Sequence, residues 1–243
     1  MKLKPLAGSK FFFATAPMPC PYISGRIERR VVTELFGRDV NALHDALTLT
    51  GYRRSHGIAY APVCPNCQSC VAVRIPVARF TPSRTQRRTM SRNKDLTVTV
   101  LPPTVTEEQY DLFARYLKTR HAGGDMEKME LHDFQSLVED TPVDTVMVEF
   151  RDANDTLLAA CLTDRAADGL SAVYSFYDTD AANRSLGTHI ILWLVDYARS
   201  QGLDHVYLGY WIAESPKMSY KAAFRPIEAF GPDGWVDLTG TPT

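Results

Sequence analysis

Between Gly51 and Lys94 the chain contains no aspartate or glutamate. The same stretch carries nine basic residues, Arg53, Arg54, Arg74, Arg79, Arg84, Arg87, Arg88, Arg92 and Lys94. The whole chain has 27 basic and 28 acidic side chains, which leaves 18 basic against 28 acidic groups outside this stretch. A cationic segment on an anionic background attracts a polyanion. The alternative is a solvated basic face without a partner, but the predominance of arginine, whose forked guanidinium matches phosphate oxygens, favours a phosphate-bearing partner.

Long hydrophobic runs are also lacking. No apolar run reaches the roughly 18 residues that a membrane span needs. The segment from Met1 to Pro19 is too polar around its three phenylalanines to predict a signal peptide. We therefore expect a cytoplasmic protein that contacts no membrane. Its 243 residues, 45% of them hydrophobic, can bury a core in one or two domains.

The chain has five cysteines, an odd number, and three of them lie in C-P-N-C-Q-S-C. This pattern does not predict a disulfide framework. Three thiolates at this spacing suit Zn²⁺ or an iron–sulfur cluster. Because Cys161 falls inside a predicted buried strand, the possible metal ligands are Cys20, Cys64, Cys67 and Cys70. The alternative is a group of reduced thiols packed in a small domain.

In the first hundred residues, short strands flank the cysteine loop. Ser83 and Gln86 have the spacing of a capping box and predict a helix from Arg84 to about Asn93. Three arginines four residues apart then form one ridge, Arg84, Arg88 and Arg92, with Arg87 beside it. Pro102-Pro103 breaks the chain. We therefore predict a small basic, cysteine-bearing domain over residues 1–102 and a second domain over residues 103–243.

The second half begins with another capping box, Thr106 with Gln109, and predicts two helices. An antiparallel meander of three strands follows, at Thr145 to Arg151, Leu157 to Thr163 and Leu170 to Tyr177, and then a helix over Ser185 to Ser200 and a further strand. This order suits the acyltransferase fold of the N-acetyltransferases, so the predicted class is α+β with a central mixed sheet flanked by helices. In that superfamily the turn before the helix offers backbone N–H groups to a phosphate. Arg184 and Gly187 match the pattern of that turn, whereas His189 stands where a small residue is usual.

Six segments carry a resemblance to a known family. They are C-P-Y-I-S-G-R (20–26), R-I-P-V-A-R-F-T-P-S-R-T-Q-R-R (74–88), S-R-N-K-D-L (91–96), R-H-A-G-G-D-M (120–126), S-A-V-Y-S-F-Y-D (171–178) and Y-L-G-Y-W-I-A-E-S-P-K-M-S-Y-K (207–221). Together they resemble the bacterial aspartate/glutamate leucyltransferases, relatives of the eukaryotic arginyl-tRNA–protein transferases. The resemblance spans from about residue 9 to residue 230.

The resemblance implies an enzyme that moves leucine from Leu-tRNA to the α-amine of a protein whose first residue is Asp or Glu. The product would be marked for degradation, and aminoacyl-tRNA would be the co-substrate, with no coenzyme required. Three alternatives remain open at this point: arginine as the donated residue, an acetyl-CoA-dependent N-acetyltransferase, and a non-catalytic RNA-binding protein. The arginine-rich stretch suits tRNA, which proteins recognise largely through phosphates and 2′-hydroxyls.

Candidate binding residues follow from this reading. Those for tRNA are Arg74, Arg79, Arg84, Arg87, Arg88, Arg92, Arg184 and Gly187. An acidic acceptor needs a cationic pocket, for which Lys217 and Lys221 are candidates if a helix places them on one face, with Arg74 or Arg120 as others. The alternative is a solvated basic face.

Candidate catalytic residues lie at the predicted strands. Tyr174 and Tyr177 lie on the strand where this superfamily meets its acceptor, on opposite faces of the sheet. Asp164 and Asp178, at strand ends, could orient the amine or accept its proton, as could His121. The residues expected to line the aminoacyl pocket are Tyr210 and Trp211. Each could instead be an ordinary core aromatic, cap or surface group.

Overall fold

The computed structural model describes residues 10–120 and 123–238. The helices are α1 (Val40–Leu49), α2 (Arg84–Arg92), α3 (Glu107–Arg120), α4 (Leu131–Glu139) and α5 (Leu186–Ser200), with short 3₁₀ turns at Asp125–Lys128, Ala182–Arg184 and Ser219–Ala223. The strands are β1 (Phe13–Ala14), β2 (Met18–Pro19), β3 (Ile27–Glu28), β4 (Arg30–Glu34), β5 (Arg53–Ser55), β6 (Ile58–Pro62), β7 (Val71–Pro76), β8 (Thr97–Leu101), β9 (Thr145–Arg151), β10 (Leu157–Ala166), β11 (Gly169–Tyr177), β12 (His205–Trp211), β13 (Glu228–Gly231) and β14 (Gly234–Asp237). None of the helices described here has the length and hydropathy of a membrane span.

The centre of the molecule is a mixed sheet of eight strands in the order β14-β13-β7-β12-β11-β10-β9-β8. Its neighbours pair antiparallel except β11 and β12, which are parallel and joined by the crossover helix α5. Helices α5 and α2 lie on one face of the sheet, over a core that includes Ile75, Leu194 and Val206. Helices α3 and α4 cover the other face, around Phe113 and Phe134. The predicted α+β class, with a mixed sheet flanked by helices, is confirmed.

The residues before β7 form a smaller unit against this sheet. It contains a four-stranded sheet in the order β1-β4-β6-β5, the β2–β3 pair and helix α1. Leu35, Leu43, Leu47 and Ala59 form its core together with Val143 from the second half of the chain. Strands β7 and β8 belong to the large sheet, although both precede the proline pair that suggested a boundary. The large sheet thus takes strands from both sides of residue 102, and the division at that residue stays a prediction.

The capping signals fold as the sequence predicts. The side chain of Ser83 accepts from the backbone N–H of Gln86, and Gln86 accepts in return from the N–H of Ser83 at 2.8 Å. Thr106 and Gln109 form the same reciprocal pair at the start of α3. Both pairs satisfy N–H groups that a helix start leaves without an intrahelical partner.

Helix α2 buries one polar face and exposes the other. Gln86 is buried in its first turn and donates to the carbonyl of Ala223. Asn93 is buried at its C-terminal end and donates to the carbonyl of Arg184. The exposed face carries all four arginines of the helix, Arg84, Arg87, Arg88 and Arg92. The predicted arginine ridge, defined as Arg84, Arg88 and Arg92, therefore faces solvent. Such an exposed row of guanidinium groups is suited to phosphate contacts.

Candidate active site and nucleic-acid interface

The parallel strands β11 and β12 separate soon after they begin. They pair only between Gly169–Ser171 and His205–Tyr207. We call the opening beyond these pairs the split. The guanidinium of Arg53, from β5, lies in it. It donates to the carbonyls of Leu208 at 3.3 Å, Ala172 at 3.2 Å and Val173 at 2.9 Å. These carbonyls directly follow the paired stretch, so Arg53 supplies the donors that the diverging strands no longer give each other.

Gly209 makes room for Arg53. A Cβ atom at this position would lie 1.4 Å from Nη1 of Arg53, and the backbone has a φ of +72°. A side chain at position 209 is therefore disfavoured for two reasons. Its Cβ would overlap the guanidinium of Arg53, and a left-handed backbone strains any L residue with a Cβ. The glycine of the Leu-Gly-Tyr-Trp segment is therefore explained by an arginine 156 positions earlier in the chain.

Aromatic side chains surround the mouth of the split. Tyr177, the last residue of β11, packs on the first turn of α5, where a Cβ at Gly187 would lie 3.0 Å from its ring. Tyr116 of α3 contacts Tyr177 edge to face at a centroid distance of 5.0 Å. Burial raises the pKa of Tyr116 to about 12, and the positive charge of Arg120 acts on its hydroxyl in the opposite direction. Tyr220, which is 44% exposed, lies close enough to Tyr177 and Arg120 for its hydroxyl to be affected by both. Three tyrosines and one exposed arginine thus meet where the split opens.

The two predicted acceptor lysines do not share a face. Lys217 is exposed and precedes the 3₁₀ turn, whereas Lys221 lies within it and is 6% exposed. Nζ of Lys221 donates to the carbonyl of Tyr210 at 2.6 Å. Burial, and then the charge of Arg53, lower the pKa of Lys221 to about 7. The expected i, i+4 pair was wrong because this segment is not an α-helix; the structure brings Lys221 to Arg53 instead of to Lys217.

The C-terminal end of α2 is joined to the turn that precedes α5. Arg92 donates to the carbonyl of Asn183, and Asn93 donates to the carbonyl of Arg184 at 2.8 Å. The side chain of Arg184 pairs with Asp95 at 2.8 and 3.0 Å, which lowers the pKa of that carboxyl. The arginine ridge therefore ends beside the N-terminus of α5, next to Tyr177 and the split.

His189, in the first turns of α5, is buried. Burial, and then the charge of Arg184, lower its pKa to about 4. Its ring packs edge to face on Phe150 at 5.6 Å. The imidazole is therefore neutral near pH 7 and serves as an apolar packing group in place of the small residue usual in this turn.

Arg74 and Arg79, expected to contact tRNA, are paired within the protein. Nε of Arg74 donates to Glu228 at 2.7 Å, and Arg79 donates to Glu228 at 2.6 Å and to Asp237 at 2.7 and 2.9 Å. Arg74 also lies 4.4 Å from the centroid of the Trp235 ring. These contacts tie β13 and β14 to β7. The charges of both arginines are already compensated, unlike the charges on the exposed face of α2.

Asp164 lies in the interior, where it has no access to a substrate. It accepts from Arg54 at 2.7 and 2.8 Å and from the hydroxyl of Thr145 at 2.8 Å, and it is 0% exposed. Asp178 directly follows β11, and its carboxylate accepts from the N–H of Asp180 at 2.9 Å. The structure therefore gives Asp164 the position of a buried ion pair and Asp178 that of a turn residue at the rim.

The aromatic candidates divide between the two faces of the sheet, as alternation predicts. Tyr174 packs on Phe113 beneath α3, and its buried hydroxyl has no hydrogen-bond partner among the described residues. Tyr210 donates to the carbonyls of Gly51 at 3.1 Å and Tyr60 at 3.0 Å, so it joins the two units of the chain. Trp211 is 2% exposed in the main core. His121 lies outside the described residues.

The four candidate thiols Cys20, Cys64, Cys67 and Cys70 line one pocket, together with Tyr22 and Tyr210. A backbone N–H hydrogen bond from Ser69 lowers the pKa of Cys67, to which Arg26 also donates at 3.0 Å, whereas burial raises the pKa of Cys70 to about 12. Sulfur ligands suit zinc or an iron–sulfur cluster. Within residues 10–120 and 123–238, however, no group of three or more His, Cys, Asp or Glu side chains is arranged to hold a metal ion. Cys161 is buried in β10, as expected.

Two family models match the chain. Arginine-tRNA-protein transferase, N terminus, covers residues 18–88, and Arginine-tRNA-protein transferase, C terminus, covers residues 108–231. The chain belongs to the arginine-tRNA-protein transferase family. The resemblance seen in the six sequence segments is thereby confirmed, and membership makes the chain a transferase enzyme that acts with aminoacyl-tRNA.

Relatives within this family are similar over nearly the full length. An aspartate/glutamate leucyltransferase of Paramagnetospirillum magneticum is 57% identical over 95% of each chain, and one of Rhodospirillum rubrum is 50% identical over 98% of each chain. Among solved structures, L-PGS from Bacillus licheniformis has a TM-score of 0.48 and 14% identity, over 74% of this chain and 52% of that one. A similarity that distant carries no argument about substrate.

Sequence reasoning missed the central residue of the site. Arg53 was counted in the basic stretch but not distinguished from its neighbours, and Tyr116 and Tyr220 were not selected. No local pattern reveals these residues. The partners of Arg53 lie more than a hundred positions away, Tyr116 contacts Tyr177 from another element, and Tyr220 lies in a segment without α-helical periodicity. The signal that was present is Gly209, since a glycine inside an apolar strand indicates the close approach of another group.

Proposed function

We propose that this chain transfers leucine from Leu-tRNA to the α-amine of proteins whose first residue is aspartate or glutamate. The observation that carries the proposal is the continuity between the arginine ridge of α2 and the split. The hydrogen bonds of Arg92 and Asn93 hold the end of the ridge against the turn before α5. A tRNA bound along the ridge would then bring its 3′ end to Tyr177 and the mouth of the split.

The proposed reaction is aminolysis of the aminoacyl ester. The α-amine of the acceptor attacks the ester carbonyl, a C–N bond forms, and the bond to the ribose oxygen of tRNA breaks. The proton leaves the amine and the ribose hydroxyl is restored. An unperturbed α-amine titrates near about 7.7 to 8.0, so the reaction does not depend on a strong base. Holding the amine and the ester together is expected to supply most of the rate enhancement.

Roles are assigned by position. The exposed arginines Arg84, Arg87, Arg88 and Arg92 would contact tRNA phosphates, and the backbone around Gly187 would meet the 3′ end of the tRNA at the helix N-terminus. Tyr177 would contact the aminoacyl group, and Asp178 and Arg120 would lie on the acceptor side. Asp164, Arg74 and Arg79 take no part in this scheme, because their charges are occupied within the protein.

The transfer assay distinguishes this function from its alternatives. Purified protein is incubated with tRNA charged with radiolabelled leucine or arginine, or with labelled acetyl-CoA, and with peptides that begin with Asp, Glu, Asn or Gln. We expect label from leucine on the Asp and Glu peptides only. Label from arginine or from acetyl-CoA alone would assign a different donor, and tRNA binding without transfer from any donor would contradict the proposal.

The setting of the reaction follows from its substrates. Aminoacyl-tRNA is a cytoplasmic substrate, and the modified N-terminus would mark the acceptor for degradation.

The four thiols of the cysteine pocket would hold Zn²⁺ or an iron–sulfur cluster if a ligand set forms there. Elemental analysis and the absorption spectrum of protein purified without oxygen test the metal separately. About one metal ion or cluster per chain would assign the thiols as ligands, and its absence would assign them as reduced, packed thiols.

A further inference from the structure

Arg53 and Lys221 are internal basic side chains with no carboxylate partner among the described residues. The partners of Arg53 are the carbonyls of Ala172, Val173 and Leu208, and that of Lys221 is the carbonyl of Tyr210. In the part of the chain that the structure describes, neither side chain lies in an ion pair with a carboxylate. Carbonyl oxygens satisfy hydrogen-bond donors but neutralise no charge. The guanidinium of Arg53 stays positive, and a bound anion would hold Lys221, whose pKa is lowered to about 7, in its charged form.

Three other arginines with restricted exposure are paired with carboxylates, whereas half-buried Arg29 donates to the carbonyl of Thr15. Arg54 bonds both oxygens of Asp164, Arg74 bonds Glu228, and Arg151 lies 2.9 Å from Glu149. In each of these positions the chain supplies a carboxylate to an arginine that is largely removed from water. Arg53 and Lys221 differ from these three arginines because no carboxylate of the described residues pairs with them, so we expect their partner to come from outside the protein.

The position limits what the partner can be. Lys221 is 6% exposed and Arg53 is half-buried between the diverging strands, so a small anion fits better than a run of RNA phosphates. The chain already presents exposed arginines on α2 for phosphates. A carboxylate removed from water gains most from charged hydrogen-bond donors that are held in place.

We propose that Arg53, supported by Lys221, determines specificity by binding the side-chain carboxylate of the acceptor's first residue. The inference rests on the proposed function, because it places the acceptor in the split beside the ester. In an N-terminal aspartate or glutamate the carboxylate is only a few bonds from the α-amine. Binding the carboxylate in the split therefore brings the amine to its mouth, where Tyr177 and the start of α5 lie.

The other cations considered for this role are less suited to it. Lys217 is exposed outside the split, and Arg74 already bonds Glu228. Arg120 lies at the mouth near Tyr116 and Tyr220, where it would contact the second residue of the acceptor or its backbone. Among the residues that the structure describes, Arg53 and Lys221 are the basic side chains whose contacts with β11 and β12 place them at the split.

The test measures discrimination between matched peptides. The kcat/KM for a peptide beginning with Asp is divided by that for the same peptide beginning with Asn, in the parent and in Arg53→Lys, Arg53→Gln and Lys221→Met. Total aminoacylated tRNA serves as the donor, so the assay does not depend on leucine. We expect Arg53→Gln to lower the ratio by about ten- to a hundredfold, mainly through KM for the Asp peptide, and Arg53→Lys to retain part of it.

Controls separate recognition from folding. Arg165→Gln removes one exposed positive charge on β10 outside the split and should keep the parental ratio. Circular dichroism and thermal unfolding establish which variants fold. A fall in overall rate with an unchanged Asp-to-Asn ratio in folded Arg53→Gln would overturn the inference. If that variant does not fold, an unchanged ratio in both Arg53→Lys and Lys221→Met would overturn it.

Two further results separate this inference from the proposed function. If the parent transfers no amino acid from any charged tRNA, the proposed function fails and the inference falls with it. If the parent transfers but the variants lose tRNA affinity with the ratio unchanged, the two cations serve the nucleic acid and only the inference fails.

Discussion

Gly209 is the residue on which the placement of Arg53 depends. We predict that Gly209→Ala loses transfer activity, because its methyl group would occupy the position of the Arg53 guanidinium. The positive φ adds a backbone cost of about 1 to 3 kcal/mol. The measurements are transfer kinetics and urea unfolding.

Gly202 offers a matched control for this variant. It also has a positive φ, +69°, but a Cβ atom there would meet nothing within 4 Å. Gly202→Ala should therefore show the backbone cost while keeping its activity. Equal activity in the two folded alanine variants would contradict the prediction, because it would show that transfer does not depend on the absence of a side chain at position 209.

His189 makes the stability of the protein depend on pH. Its pKa is lowered to about 4 in the folded protein, against a value near 6.5 when unfolded. Between these values the unfolded chain binds more protons, so stability is lost as the pH falls from about 6.5 to about 4. His189→Leu removes this titrating group. As the pH falls across that range, the free energy of unfolding of the variant should rise by on the order of 3 kcal/mol relative to that of the parent. Urea unfolding at pH 7, 5.5 and 4 measures it; a difference independent of pH would contradict the assignment.

At the scale of single residues, the sequence predicts side-chain direction but not long-range partners. The period-2 alternation of β11 correctly places Tyr174 and Tyr177 on opposite faces, because it depends only on neighbouring positions. The pairing of Asp164 with Arg54 joins residues 110 positions apart. No local pattern specifies that contact. The sequence therefore predicted Asp164 as a catalytic candidate at a strand end, although it is buried in the interior.

At the scale of elements, helix α2 should provide the salt-dependent part of tRNA binding. Arg84 and Arg88 are exposed on its outer face, whereas Arg92 also bonds the turn before α5. Replacing Arg84 and Arg88 together with glutamine leaves that turn intact. Each lost phosphate contact should lower the slope of log K against log salt by roughly 0.7 to 0.9. Filter binding at several salt concentrations should therefore show a decrease of about 1.5.

The control for this double variant removes two exposed charges from other elements. Arg165 on β10 and Lys128 in the 3₁₀ turn before α4 are suitable, and their replacement with glutamine should leave the slope unchanged. If the α2 variant keeps the parental slope, the ridge does not contact tRNA. If both double variants lower the slope of log K against log salt equally, tRNA binding depends on the net charge of the protein and not on the arginines of α2.

Elements with strong local signals were predicted well. The capping boxes begin α2 and α3 at the expected residues, and β9 has the predicted bounds because its polar and apolar neighbours mark them. The segment around Lys217 and Lys221 was predicted wrongly, since its 3₁₀ turn has three residues per turn and is set by tertiary contacts. The sequence analysis predicted neither β13 nor β14, because no motif or alternating pattern was identified in that segment.

At the scale of the whole molecule, the two halves share one sheet. Strand β7 pairs with β12 on one side and with β13 on the other, and β8 forms the edge next to β9. Arg54, also from the first half, pairs with the fully buried Asp164. The large sheet therefore takes strands from both sides of Pro102-Pro103, and whether the chain divides into two folding units there stays a prediction.

We predict that residues 103–243 do not fold alone. Without β7, the strand β12 loses one partner and β13–β14 lose their attachment to the sheet. Loss of residues 1–102 also removes Arg54 and His44, the two basic side chains that lie against Asp164. Domains are stable by only roughly 5 to 15 kcal/mol, so losing these strand pairings and this ion pair together should prevent folding. Circular dichroism and urea titration of the fragment should show no cooperative unfolding.

Two companion samples identify the cause. Coexpression of residues 1–102 with residues 103–243 should restore a soluble, cooperatively unfolding complex, because β7, β8 and Arg54 return together. The fragment 103–243 carrying Asp164→Asn removes the unpaired charge but not the gap in the sheet, so it should still fail to fold. Cooperative unfolding of this fragment alone would mean that the buried charge, and not the missing strand, had prevented folding. Cooperative unfolding of the unmodified fragment would instead show that residues 103–243 are an independent domain, as the proline pair first suggested.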